Sequence, residues 1–123
     1  MSKKIELHEY AFYLKSISFV KRFGFVNQQI RITKDNLSLI YSNQDKIILK
    51  SISDISQGEI NELFLMFGDL CRIGNQLHFN EFLREHFEHL DTLPLRICQE
   101  LAKRGYDIFD LLKNNLAINF YSC

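Results

Sequence analysis

The hydrophobic period of this chain changes partway along. From Ile30 to Ile52 apolar residues mostly alternate with polar ones, the two-residue period of a strand with one buried face. From Ile60 onward they recur three and four apart, the period of a helix with one buried stripe. A pattern of one kind does not serve the other element. The switch near Ser56 therefore predicts an α+β fold, with a sheet in the first half packed on helices from the second.

In the first half, Ile30 and Ile32 alternate with Arg31 and Thr33, and Lys34-Asp35-Asn36 has turn chemistry. Leu37, Leu39 and Tyr41 alternate with Ser38, Ile40 and Ser42. A second turn signal follows at Ser42-Asn43-Gln44-Asp45, then a β-prone run over residues 46–52. Such runs predict an N-terminal antiparallel meander of about three strands. Ile40, Ile48 and Ile52 face opposite to the main apolar set, so part of the second sheet face is covered too. Residues 5–23 fit two patterns. Tyr10, Tyr13, Leu14, Ile17 and Val20 form a helical stripe, while Phe12, Phe19 and Phe23 fall off it among β-branched neighbours. The stripe favours a leading helix, which Gly24 ends.

The second half predicts about four helices. Ser56 and Glu59 have capping-box spacing, ahead of Ile60, Leu63, Phe64, Phe67 and Cys71, with Gly74 as the stop. Residues 78–90 carry Phe79, Phe82, Leu83, His86, Phe87 and Leu90 on one stripe. Pro94 suits a first helical turn, and residues 94–104 align Ile97, Cys98, Leu101 and Ala102 up to a break at Gly105. Asp107 can cap a last helix carrying Ile108, Leu111, Leu112 and Leu116. Phe64, Phe67, Phe82 and Phe87 are core candidates. Linkers are short, so residues 1–123 read as one domain.

With 46% hydrophobic residues and 11 Phe, a chain of 123 residues can bury a core without metal or disulfide. The three cysteines, Cys71, Cys98 and Cys123, are widely spaced and form no C-x-x-C pair. That points to free thiols in a reducing cytoplasm, with Cys71 and Cys98 as small core residues and Cys123 exposed. The first residues lack the apolar core of a secretory signal, and no stretch approaches the ~20 apolar residues of a membrane helix.

Charge divides where the period does. Residues 1–56 carry nine Lys/Arg against five Asp/Glu, and residues 57–123 carry six against ten, so a net charge of zero covers a basic half and an acidic half. The plain consequence is attraction between the two halves across the fold. The functional one is an acidic, aromatic-rich surface suited to a basic partner. Glu81, Glu85 and Glu88 fall at i, i+4 and i+7, opposite the Phe stripe, and Asp91, Asp107 and Asp110 can extend that ridge. The plainer alternative is a solvated helix face.

Catalytic chemistry finds little to use. His86 and His89 are spaced i, i+3, but a zinc site needs two more ligands and His86 belongs to the apolar stripe. No Cys-His signature, glycine-rich phosphate loop or carboxylate pair stands out, and no cofactor is implied. A nucleic-acid-binding regulator is the alternative class. Lys3, Lys4, Lys21, Arg22, Arg31, Lys34, Lys46 and Lys50 are interleaved with Tyr10, Tyr13, Phe23, Phe25 and Tyr41, as single-strand stacking requires. Residues 97–113 loosely resemble a helix-turn-helix, but Asp107 and Asp110 give its second helix the wrong charge for phosphate. A small enzyme is the third class. The sequence fits best a small cytoplasmic protein-binding module, in its sharper form an immunity-type or other inhibitor of a toxin, nuclease or defence complex. Its partner would be a protein with a basic surface.

Overall fold

A computed structural model of the chain describes residues 4–14, 19–22 and 28–122. Among them it is a mixed α+β fold with five α-helices and one four-stranded sheet. The leading helix, α1 (Leu7–Phe12), is short; the Glu9 carboxylate accepts the Glu6 N–H at 2.8 Å and so satisfies one of the donors a helix start leaves open. The segment that read two ways contains both elements, because β1 (Phe19–Arg22) follows α1. It pairs antiparallel with β2 (Gln28–Arg31), Val20 opposite Ile30. Gly24, Phe23 and Phe25 lie outside the described residues.

The expected strand over residues 37–42 is a helix, α2 (Leu37–Asn43). Leu37, Ile40, Tyr41 and Gln44 also satisfy a helical spacing, and burial decides between the two. Ile40 is fully buried while Leu39 is 53% exposed, the reverse of the alternating pattern. Asn36 sets the entry, accepting the Thr33 N–H and donating to the Arg31 carbonyl. Gln44 sets the exit in a left-handed conformation, φ 52°; its side-chain amide exchanges two 2.9 Å hydrogen bonds with the backbone of Ile5. Those bonds tie the end of α2 to the strand-like approach to α1.

The sheet is not a meander confined to the first half. Its order is β2-β1-β3-β4, where β3 spans Lys46–Leu49 and β4 spans Ala117–Asn119. β3 pairs antiparallel with β1 and parallel with β4, Ile47 opposite Ala117. With neighbours on both edges, β3 is central, and Ile47, Ile48 and Leu49 are all buried. Two-sided burial explains why this run does not alternate.

The helices of the second half start where their caps are. Ser56 Oγ accepts the Glu59 N–H at the start of α3 (Gln57–Phe67). Asn75 Oδ1 accepts from Leu77 and His78 at the start of α4 (Gln76–His86). Pro94 precedes α5 (Leu95–Lys103). Helix α3 stops before Gly74: Gly68 ends it, lying so close to the Phe64 ring that an added Cβ would meet that ring at 2.9 Å. Phe79, Leu63, Leu83, Ile97 and Leu101 are fully buried. Phe67 is buried as well, whereas Phe64, Phe82 and Phe87 are half-buried against the same core. Arg104 ties the end of α5 to α3, bonding Glu62 at 2.6 Å and Glu100 at 3.1 Å.

The expected fourth helix is absent. Asp107 caps, but it caps a series of turns: Oδ1 accepts from the Phe109 and Leu111 amides and Oδ2 from the Leu112 amide. Asp110 and Asn115 adopt left-handed φ values of 56° and 58°, which a continuous helix does not admit. The turns carry the chain back to β4.

Two buried tyrosines join the ends of the fold. Tyr10 donates to the Asp45 carbonyl at 2.6 Å. The Tyr13 hydroxyl donates to the Tyr106 carbonyl at 2.8 Å and accepts the Ile108 N–H at 3.2 Å. Tyr13→Phe would leave both backbone groups buried without that partner, which costs about 1–3 kcal/mol. Urea unfolding should show a lower midpoint at unchanged slope; an unchanged midpoint would mean the hydroxyl contributes nothing.

Burial also raises the pKa of Tyr10, Tyr13 and Tyr106 above the ordinary tyrosine value, and Asp45, Asp107 and Glu59 respectively add to the rise. The unfolded chain releases these protons near pH 10 while the folded chain keeps them. The folded state thus binds more protons above that pH, so stability is complete below about pH 10 and falls as pH rises past it. The thermal midpoint should drop across that range, with tyrosinate absorbance rising together with loss of circular dichroism. Complete tyrosinate absorbance from a still-folded chain is the opposite result.

Candidate functional site

The acidic residues of the second half do not form one ridge. Helix α4 ends at His86, whose Nδ1 lies 2.8 Å from the Phe82 carbonyl and whose ring packs on Phe82 at 4.5 Å. Glu88 therefore lies in the turn just beyond the helix. Glu81 and Glu85 remain exposed one turn apart on α4, and Leu77 is 62% exposed a turn earlier. Asp107 is buried and fully engaged by backbone amides, so it belongs to the framework.

What the fold does assemble is a second acidic group. Glu88 follows α4, Asp91 sits in the 3₁₀ turn Leu90–Thr92, and Asp110 occupies the left-handed position after Asp107. These three, with Glu9 of α1, line one cavity of about 270 Å³. Phe87, Leu90, Ile108 and Phe109 supply its apolar walls. Glu88, Asp91 and Asp110 are exposed and Glu9 is buried. Among the described residues none of the four forms an ion pair.

Each placement has a local cause. The Asp107 carboxylate fixes the turn that carries Ile108, Phe109 and Asp110. Thr92 Oγ1 donates to the His89 carbonyl at 2.6 Å and steadies the 3₁₀ turn. Cys98 Sγ donates to the Leu90 carbonyl from below. Phe109 stacks edge-on against Phe12, and more distantly against Tyr13, which attaches the Asp110 turn to α1. Glu9 gave no signal in the sequence: it is one acid in the basic half, and its spacing from Glu6 is what marks the helix start.

Carboxylates around apolar walls are the chemistry that suits a cation on an apolar stem. Carboxylates at the rim pair a guanidinium or ammonium, and aromatic walls cover the methylenes below it. Charge-assisted hydrogen bonds of this kind are about twice as strong as neutral ones.

The other candidate chemistries find less. Burial raises the pKa of the Cys98 and Cys71 thiols, and Asp91 adds to the effect at Cys98. This is the opposite direction from an activated thiolate. Tyr10 and Tyr13 are fully buried and so cannot stack on bases; Tyr41 is half-buried, edge-on to Tyr10. Lys50 Nζ lies over the rings of Tyr106 and Phe120, at 5.1 and 5.6 Å. The helix-turn-helix likeness fails because, among the described residues, no α-helix follows Gly105. Lys3, Cys123 and the Arg22 side chain lie outside the description. No helix among the described residues is long and apolar enough to cross a membrane. No family model matches the chain, and neither a curated protein nor a solved structure does.

Proposed function

We propose that this chain is a protein-binding module that docks its acidic end on a basic surface of a partner. The carrying observation is the cavity where Glu88, Asp91 and Asp110 surround apolar walls and, among the described residues, form no ion pair. An arginine or lysine of the partner enters it, and Glu81 and Glu85 extend the attraction along α4. In its sharper form the module is an inhibitor that covers the basic working surface of a toxin, a nuclease or a defence complex. Interfaces of this kind combine an anchor side chain in a pocket with a charged rim that speeds encounter.

The test begins with capture of the partner by the tagged protein from the cells that make it. Two variants are then compared with the parent: Glu88→Lys, Asp91→Lys, Asp110→Asn, and separately Glu81→Lys, Glu85→Lys. Asn keeps the left-handed turn at position 110, and exposed charge changes leave stability nearly intact. The cavity variant should weaken binding at least a hundredfold. The α4 variant should slow association about tenfold at low salt, with the difference fading at high salt. Parent-like binding by the cavity variant at both ionic strengths would overturn the proposal.

A further inference from the structure

A second, larger cavity lies between α1 and α5 and shares no lining residue with the acidic one. Its volume is about 710 Å³, within the range of sites that hold small organic molecules. Ala11, Phe12 and Leu14 give one apolar wall, and Phe67, at the end of α3, gives another. The α5 wall is different. Arg96 and Lys103 stand seven residues apart, two helical turns and so on one face, and both are exposed at the rim.

Among the described residues Arg96 and Lys103 form no ion pair. Glu100 lies between them on the same wall, but its carboxylate is turned to Arg104, whose Nε is 3.1 Å from Oε1. The acid that could cancel the rim is thus held by a third cation. The cavity combines an apolar interior with an unmatched positive rim, the inverse of the acidic site.

We infer that the α1–α5 cavity is a binding site for a small amphipathic organic anion, its apolar body lying on Ala11, Phe12, Leu14 and Phe67 and its anionic head on Arg96 or Lys103. Volume, wall chemistry and rim charge each select part of that ligand. A neutral apolar molecule would leave the two cations unused. A small hydrophilic anion would leave the apolar walls wet. The site is independent of the proposed protein docking, and its failure would leave that proposal standing.

Decanoate, kept below its micelle-forming concentration, is a suitable probe, with 1-decanol as the neutral match. Calorimetric titration should give saturable binding of decanoate at least tenfold tighter than of 1-decanol. Amide shifts should concentrate on α1 and α5. Arg96→Gln with Lys103→Gln should remove the preference for the acid while the thermal midpoint stays within a few degrees. Ala11→Trp should weaken both ligands by filling the cavity; should that variant fail to fold, the exposed double variant still decides. Absence of saturable decanoate binding, equal affinity for acid and alcohol, or parent-like decanoate affinity in the double variant would each overturn the inference.

Discussion

The backbone of Lys50 is the joint on which the fold depends. Its N–H donates to the Gly105 carbonyl and its carbonyl accepts from the Asp107 N–H, both at 2.9 Å. These bonds fasten the chain after α5 to the end of the central strand. Gly105 reaches the joint at φ 88°, a conformation in which a side chain would be strained. Tyr13 closes it from the far side by bonding the Tyr106 carbonyl and the Ile108 amide. Residues near 13, 50 and 106 are thereby held in one buried place. A backbone polar group left there without a partner would cost as much as a lost hydrogen bond or more.

Both candidate sites inherit their geometry from that joint. Once Asp107 is fixed, its carboxylate gathers the amides of Phe109, Leu111 and Leu112 into tight turns. Those turns send Asp110 toward Glu88 and Asp91, and then return the chain to pair Ala117 with Ile47. Tyr13 anchors α1, which gives Glu9 to the acidic cavity from one side and Ala11 and Phe12 to the larger cavity from the other. The two cavities cut across the charge division of the sequence, since Arg96 and Lys103 come from the acidic half and Glu9 from the basic one. An acidic cavity and a basic-rimmed one adjoin the same short helix, each with apolar walls.

Much of the helical half could be read from the chain, because Ser56, Pro94 and the 3.6-residue stripes act within a few residues of where they appear. The misread elements all depend on partners far away in sequence. Leu37, Ile40 and Tyr41 fit both periods; burial of Ile40 in the core selects the helix, and Gln44 ties its end to Ile5. Strand β4 is three residues long and exists because β3 offers it an edge. Asp107 was recognisable as a cap, but nothing local says that left-handed Asp110 and Asn115 would stop the helix expected there. The acidic site was legible in its members Glu88, Asp91 and Asp110 but not in its shape. Its fourth member, Glu9, comes from the basic half, and the spacing that suggested a straight ridge ends at His86.

The central claim is that this joint belongs to the most stable part of the molecule. Native-state hydrogen exchange tests it most directly, read at the amides of Lys50, Asp107 and Ile108. Amides that open only with the whole fold exchange with the free energy of global unfolding. The account predicts that value for all three, equal to the stability from denaturant unfolding. Exchange of Asp107 and Ile108 through a much cheaper local opening, while Ile47 stays protected, would contradict it, showing that the C-terminal segment comes away without the rest.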